Sequence, residues 1–267
     1  MSAVKCLIAA VCLALAATAQ AGEEDRVAAQ PEGEVPDAAA APPPDPDSWF
    51  KGWEGSVELG VNGSEGNTET LSFLGRVTGE RDVSEYVTKF DLAYFLKRDD
   101  GETTEDRFDS LLRNDWKLGD SPWRFWAEGR YQYDGFKEWD SRLSLFAGPG
   151  YVFVDDGETF LMGRAGLGAT KEFGGERNEW QPEGLLGVDF SRQLTERQKI
   201  SATIEYIPSL QHFERYRLRG KADWEVLVDP EVSMSLKVGV EDEYNSDPSG
   251  DDKRNDFRYY ALLVWSF

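Results

Sequence analysis

The side chain best suited to act as a general base near neutral pH is the chain's one histidine, His212, in the run Gln211-His212-Phe213-Glu214. A hydrolytic site would need a nucleophile beside it. No serine stands two residues on, and a solvated loop histidine is the preferred reading. The run Asn245-Ser246-Asp247-Pro248-Ser249-Gly250-Asp251-Asp252 is rich in oxygen ligands, but it lacks the alternating acids and closing Glu of a calcium loop. It reads as an acidic solvated loop. Asn62-Gly63-Ser64 fits a glycosylation pattern to which no meaning is assigned. Both cysteines, Cys6 and Cys12, lie at the extreme N-terminus, so no thiolate metal site or nucleophile is expected in the body of the chain. No catalytic, cofactor-binding or metal-binding residue is therefore assigned. The most distinctive charge pattern is Arg215, Arg217, Arg219 and Lys221, four cations in alternate positions. On a strand they share one face at intervals of about 7 Å. Neighbouring hairpins should bring Glu205 near Arg215 and Glu241 near Arg217 or Arg219, neutralising part of the ladder. A structural charge lattice is preferred to a ligand or ion path.

Such a ladder needs strands to carry it, and the end of the chain shows their form. Counting back in twos gives Phe267, Trp265, Leu263, Ala261, Tyr259 and Phe257, all apolar, while the other parity carries Arg258 and Ser266. Alternate side chains of a strand point to opposite faces, so this is a strand with one wholly apolar face. Its ending in Phe resembles the assembly signal of bacterial outer-membrane barrels, with Tyr259, Ala261, Leu263, Trp265 and Phe267 as the residues read. From Trp53 onward twelve segments of this kind can be counted, among them residues 85–97, 106–118 and 213–228. Five of their connections are tight. The alternate ones, such as 98–105, 172–179 and 245–254, are longer and polar. An even count with short turns at one end and long loops at the other is the pattern of a transmembrane barrel with both termini in the periplasm.

Parity sorts the side chains. Phe90, Leu92, Tyr94 and Leu96, then Ile200, Ala202, Ile204 and Tyr206, then Val232, Met234, Leu236, Val238 and Val240 fall on the lipid side. Aromatic residues gather near segment ends, with Trp53, Trp123, Phe125, Phe153 and Trp265 toward the periplasm and Tyr94, Tyr133, Trp180, Tyr206 and Tyr259 toward the outside, as two interfacial girdles require. Lys89, Asp91, Arg113, Asp115, Arg124, Glu128, Arg130, Asp134, Glu205, Asp223 and Glu225 fall on the other side, where a lumen must accept them. A cation on the lipid face would cost about 2 to 4 kcal/mol at the bilayer midplane.

Composition bounds the rest. Residues 1–21 hold one positive charge, Lys5, an apolar run and the small-residue pattern Ala19-Gln20-Ala21, which predicts a signal peptide cleaved before Gly22. Residues 22–48 contain eight acids, one Arg and six prolines, and are expected to be a disordered acidic tether. The barrel is expected over 49–267. Truncating 22–48 should leave that barrel folded, with proteolysis from the periplasmic side trimming only the tether; a protease-resistant tether would mean that it plugs the lumen or binds a partner. The whole chain has 29 basic and 50 acidic residues, a formal net charge of −21, which argues against nucleic acid as a partner. No apolar stretch after the leader is long enough for a membrane helix, so a chain of this kind crosses as a closed antiparallel β-barrel.

Four runs carry a family resemblance: Trp53-Glu54-Gly55-Ser56-Val57-Glu58-Leu59-Gly60 leading into Gly66-Asn67-Thr68, then Tyr133-Asp134-Gly135-Phe136, Asp140-Ser141-Arg142 and Gly148-Pro149-Gly150-Tyr151. Over 53–267 the chain resembles the salt-induced outer-membrane proteins of the YdiY type, whose domain is one of unknown function. The resemblance supplies no catalytic residues and does not extend to the tether. The expected role is structural or permeability-related, in small-solute passage or salt stress, in the outer membrane of a Gram-negative bacterium, with a charged lumen largely filled. The expected partners are outer-membrane lipid, lipopolysaccharide and the barrel assembly machinery. A barrel enzyme acting on outer-membrane lipid or lipopolysaccharide is the alternative, because such enzymes assemble their sites from distant strands.

Overall fold

The computed structural model describes residues 51–64, 70–175, 178–248, 250 and 252–267. The expected leader and tether, and the hairpin tip at 65–69, lie outside the described residues. Period-two patterning over stretches rich in aromatic and β-branched residues yields strands throughout. They are β1 (Trp53–Ser64), β2 (Thr70–Asp82), β3 (Tyr86–Asp99), β4 (Glu102–Lys117), β5 (Trp123–Asp134), β6 (Ser141–Asp155), β7 (Thr159–Phe173), β8 (Gln181–Thr195), β9 (Gln198–Pro208), β10 (Tyr216–Asp229), β11 (Met234–Asn245) and β12 (Asn255–Ser266). Each pairs antiparallel with its neighbours in sequence, and β1 pairs with β12, so the sheet closes on itself. The fold is an all-β, twelve-stranded antiparallel barrel of the outer-membrane type.

We call the end where β1 starts and β12 finishes the base, and the opposite end the rim. Connections at the base are short, and Asp156 shows how one is held. Its Oδ1 accepts hydrogen bonds from the backbone N–H groups of Glu158 and Thr159, at 3.0 and 2.6 Å, which hold this carboxyl below its ordinary pKa. Rim connections are mostly longer, with one correction. The loop expected over 98–105 is a two-residue turn, because β3 and β4 continue to Asp99 and Glu102. Asp100 and Gly101 both take positive φ, 51° and 82°, which matches the twist of the flanking strands and favours this dipeptide. A second correction concerns the segment expected over 213–228. Strand β10 begins at Tyr216, because Ser209 N donates to Arg215 O and Arg215 N to His212 O, closing a turn that takes Arg215 out of the strand.

The two faces of the sheet invert the usual partition. Glu58, Asp115, Glu205 and Arg164 are buried, whereas Leu167, Ile204, Trp224 and Val238 are exposed on the outside. Charged residues are almost never fully buried unless paired, and an apolar belt of this extent on a closed barrel suits lipid rather than water. Rings gather at both ends of that belt. Near the base Trp53 meets Phe90, Trp116 meets Phe125, and Trp123, Tyr151 and Phe153 form a chain of contacts; near the rim Tyr206, Tyr216 and Tyr244 form another. One polar pair on the outer face, Thr88 and Asn114, satisfies itself through a 2.5 Å hydrogen bond.

Candidate functional site

The lumen is the candidate site, and its two walls differ. Along β5 to β9 it is packed by the apolar cluster Trp126, Phe146, Leu185 and Ile207. Trp126 fits because β7 carries Gly166 opposite it, where a Cβ would come within 2.5 Å of the indole. Its Nε1 donates to Pro149 O at 3.0 Å, inside the Gly148-Pro149-Gly150 motif. The guanidinium of Arg164 lies 5.0 Å from the Trp126 ring centroid. It ties three strands together, donating from Nη1 to Glu128 (2.9 Å), from Nε to Asp189 (2.8 Å) and from Nη2 to Glu205 (3.0 Å). Removing one member of such a buried network leaves charges without compensation and typically costs about 3 to 5 kcal/mol. Arg164→Ala is expected to destabilise the barrel on that scale, measured as loss of the heat-modifiable folded band in electrophoresis at lower temperature. An unchanged profile would show that the cluster holds without its cation.

Other ion pairs cross the barrel. Arg113 on β4 reaches Asp189 on β8, and Arg130 on β5 reaches Glu205 on β9, both at 3.0 Å. Arg142 on β6 reaches Glu243 on β11 at 3.0 Å while holding Glu172 at 2.7 Å, its guanidinium stacked 4.4 Å from the Trp139 ring centroid. Arg219 on β10 bonds Gln132 on β5 at 2.8 Å and Glu243 at 3.1 Å. A cavity of about 900 Å³ occupies the remaining lumen. Its lining runs from Glu54, Lys199 and Phe267 near the base up to Gln132, Arg219, Glu243 and Arg258. Beyond that level, toward the rim, Arg142, Glu172, Glu183 and Arg217 line only a 60 Å³ void. The interior is therefore a chamber narrowed on its rim side by a lattice of guanidinium and carboxylate groups.

Three members of the basic ladder, Arg217, Arg219 and Lys221, project into the lumen, whereas Arg215 sits in the loop before β10 and pairs with Asp247 at 2.9 Å. Their partners differ from those expected. Glu205 stands opposite Arg219 rather than Arg215, and Glu241 opposite Lys221. The cause is the length of the 209–215 turn, which shifts where β10 enters its register. Arg217 holds Glu183 at 2.5 Å, and Lys221 reaches Asp91 at 3.5 Å. Each ladder member is thus paired, contrary to the expectation that some stay unneutralised. Tyr259, Ala261, Leu263, Trp265 and Phe267 share the outward parity of β12, and Phe267 and Gly55 exchange backbone hydrogen bonds at 2.9 and 3.0 Å.

His212 lies at the rim with its Nδ1 3.6 Å from Glu214. The nearby Ser209 hydroxyl accepts from the backbone N–H groups of Gln211 and His212, so it serves the turn. In the acidic loop Asp247 is engaged by Arg215, and Ser249 and Asp251 lie outside the described residues. Sequence parity had not singled out Arg76, Trp126, Arg142, Arg164, Asp189 or Glu243. A signal for two of them was present: Arg164 alternates with Gly166 and Gly168 on the inward parity of β7, which marks space for a large group from another strand.

A family model described as "Protein of unknown function, DUF481" matches residues 57–267. No curated protein matches the chain. Among solved structures, the NanC porin is 8% identical with a TM-score of 0.47, over 79% of this chain and 98% of that one. The KdgM porin in complex with disordered oligogalacturonate is 9% identical with a TM-score of 0.45, over 79% and 99%. The translocator domain of autotransporter NalP from Neisseria meningitidis is 12% identical with a TM-score of 0.42, over 81% and 88%.

Proposed function

As the chain belongs to the DUF481 family, the YdiY-type family whose motifs it carries, we propose that its role follows from the lumen: a non-enzymatic barrel of the Gram-negative outer membrane that admits only small solutes. The observation that carries this reading is the 900 Å³ chamber bounded on its rim side by the Arg142–Glu243–Arg219 lattice. Twelve strands lie between the roughly eight that side chains fill and the 16 to 18 that leave an aqueous channel. Long charged side chains from opposite walls can meet across that width, and here they do. Both termini face the periplasm in this reading, where the acidic tether would extend, and the chain reaches the membrane through its signal peptide and the barrel assembly machinery.

Planar-bilayer recording of the purified protein tests it. Small or rare conductance steps are expected, well below those of open porins. A large, steady conductance would overturn the filled-lumen reading. The enzymatic alternative predicts turnover of lipid or lipopolysaccharide analogues by the purified protein, and none is expected.

A further inference from the structure

The closing seam of the barrel is incomplete. Strands β1 and β12 are in register only from Ser56–Ser266 to Leu59–Leu263, extended at the base by the Gly55–Phe267 hydrogen bonds. Every other neighbouring pair carries at least nine partners, and β8–β9 is the shortest of these. On the rim side of Leu59 and Leu263 both strands continue, β1 to Ser64 and β12 back to Asn255. Gly60 still abuts β12, where a Cβ would come within 2.9 Å of Ala261 O and 2.6 Å of the Leu262 side chain, but no partner joins Val61–Ser64 to Arg258–Ala261. At about 3.3 Å per residue this leaves roughly 13 Å of unpaired seam. Unpaired backbone groups facing lipid cost several kcal/mol each, so an interruption of this length needs something to meet it.

What lies on either side says what that is. Outside, Val61, Phe257 and Tyr259 are 70%, 58% and 83% exposed. Inside stands Arg76, its side chain 5% exposed, with its guanidinium 5.4 Å from the Tyr260 ring centroid and so directly behind the unpaired part of β12. It holds Glu241 at 2.5 Å and Asp91 at 3.3 Å, but its Nη1 has no hydrogen-bond partner among the described residues. Arg258, the register partner of Glu241, makes no ion pair among the described residues, and its Nε is buried without a hydrogen bond. Both arginines line the 900 Å³ chamber. Two guanidinium groups with unfilled donors behind a gap flanked by apolar side chains suit phosphate oxygens attached to acyl chains.

We propose that the rim half of the β1–β12 seam is a lateral opening between the chamber and the outer leaflet. Its occupant is an anionic acylated lipid of that leaflet, whose phosphate meets Arg76 and Arg258 while its chains stay in the membrane. This rests on the membrane placement proposed above. The test places the photoreactive residue benzoylphenylalanine at one of three positions in protein reconstituted into phosphatidylethanolamine vesicles with or without lipopolysaccharide. Asn62 has the lumen-facing parity of β1 beside the gap, Gln181 has that of β8 on the opposite wall, and Leu167 is on the outer face. Adducts with lipopolysaccharide are expected at Leu167 and Asn62 and not at Gln181.

An adduct at Leu167 but not at Asn62, or equal adducts at Asn62 and Gln181, would overturn the lateral opening alone. No adduct at Leu167 would overturn the membrane placement. Equal yield at Asn62 without lipopolysaccharide would overturn the anionic headgroup. A Val61→Cys and Ala261→Cys pair, opposite each other if the register of the closed part is continued, should on oxidation close the seam and abolish the Asn62 adduct until a reductant restores it. Arg258→Gln should lower that adduct severalfold while leaving the Leu167 adduct unchanged; an Asn62 adduct insensitive to both changes would mean that lipid enters by another route.

Discussion

Deleting Phe267 is expected to remove most of the protein from the outer membrane while leaving barrel that has already formed comparatively stable. The last residue contributes on two levels. Its backbone exchanges two hydrogen bonds with Gly55, one of only five residue pairs that close the sheet, and its ring packs over Gly55, where a Cβ would come within 2.8 Å. A seam that is paired only at its base has little redundancy there, and an open edge cannot persist in lipid. Phe267 is also 70% exposed on the outward face, where a terminal aromatic can be read during insertion. The measurement is the amount of heat-modifiable barrel in the outer membrane, followed by thermal denaturation of whatever fraction assembles. Normal levels of the deletion variant would show that neither the closing pair nor the terminal ring is needed for assembly.

The strands were legible because their chemistry is local. Period two with an apolar parity is written residue by residue, so twelve segments, the lipid face of β3, β9 and β11 and the inward charges of β4 and β5 follow from the chain alone. Ends were less so. Asp100-Gly101 is a two-residue hairpin signal, but the polar residues on both sides made 98–105 look like a loop, and strand pairing overrode their polarity because Lys97, Asp99 and Glu105 can face the lumen. Contacts across the lumen were not legible at all. Which residue of β6 meets which residue of β11 depends on the tilt and stagger of the whole sheet, so Arg142–Glu243 and Arg113–Asp189 have no signature in sequence spacing. The ladder on β10 shows both cases: alternation put Arg217, Arg219 and Lys221 on one face, while the turn at 209–215 decided which acids they meet.

Replacing Arg217 and Arg219 together by serine is expected to raise conductance severalfold and to shift selectivity toward cations. Arg219 bridges the barrel, bonding Gln132 on one wall and Glu243 beside it, and Arg217 occupies the rim-side void with Glu183 and Thr170. Serine shortens both side chains, so the chamber below and the void above would join. The sign of the selectivity follows from what remains. Glu183 loses its ion pair with Arg217, and Glu243 keeps only Arg142, so the net charge of the narrowest part of the path falls by two relative to the parent. Rings of carboxylates favour cations at close range, most strongly at low ionic strength, where screening is weak. Reversal potentials in asymmetric potassium chloride, recorded for parent and double variant, measure this directly. The shift should shrink as salt rises, because exposed charges more than a Debye length apart are screened. If current rises while the reversal potential stays unchanged, the two arginines fill space without setting the field. If neither changes, the path does not pass between β5 and β10, and the constriction must lie elsewhere in the lattice, with Arg130–Glu205 the next pair to remove.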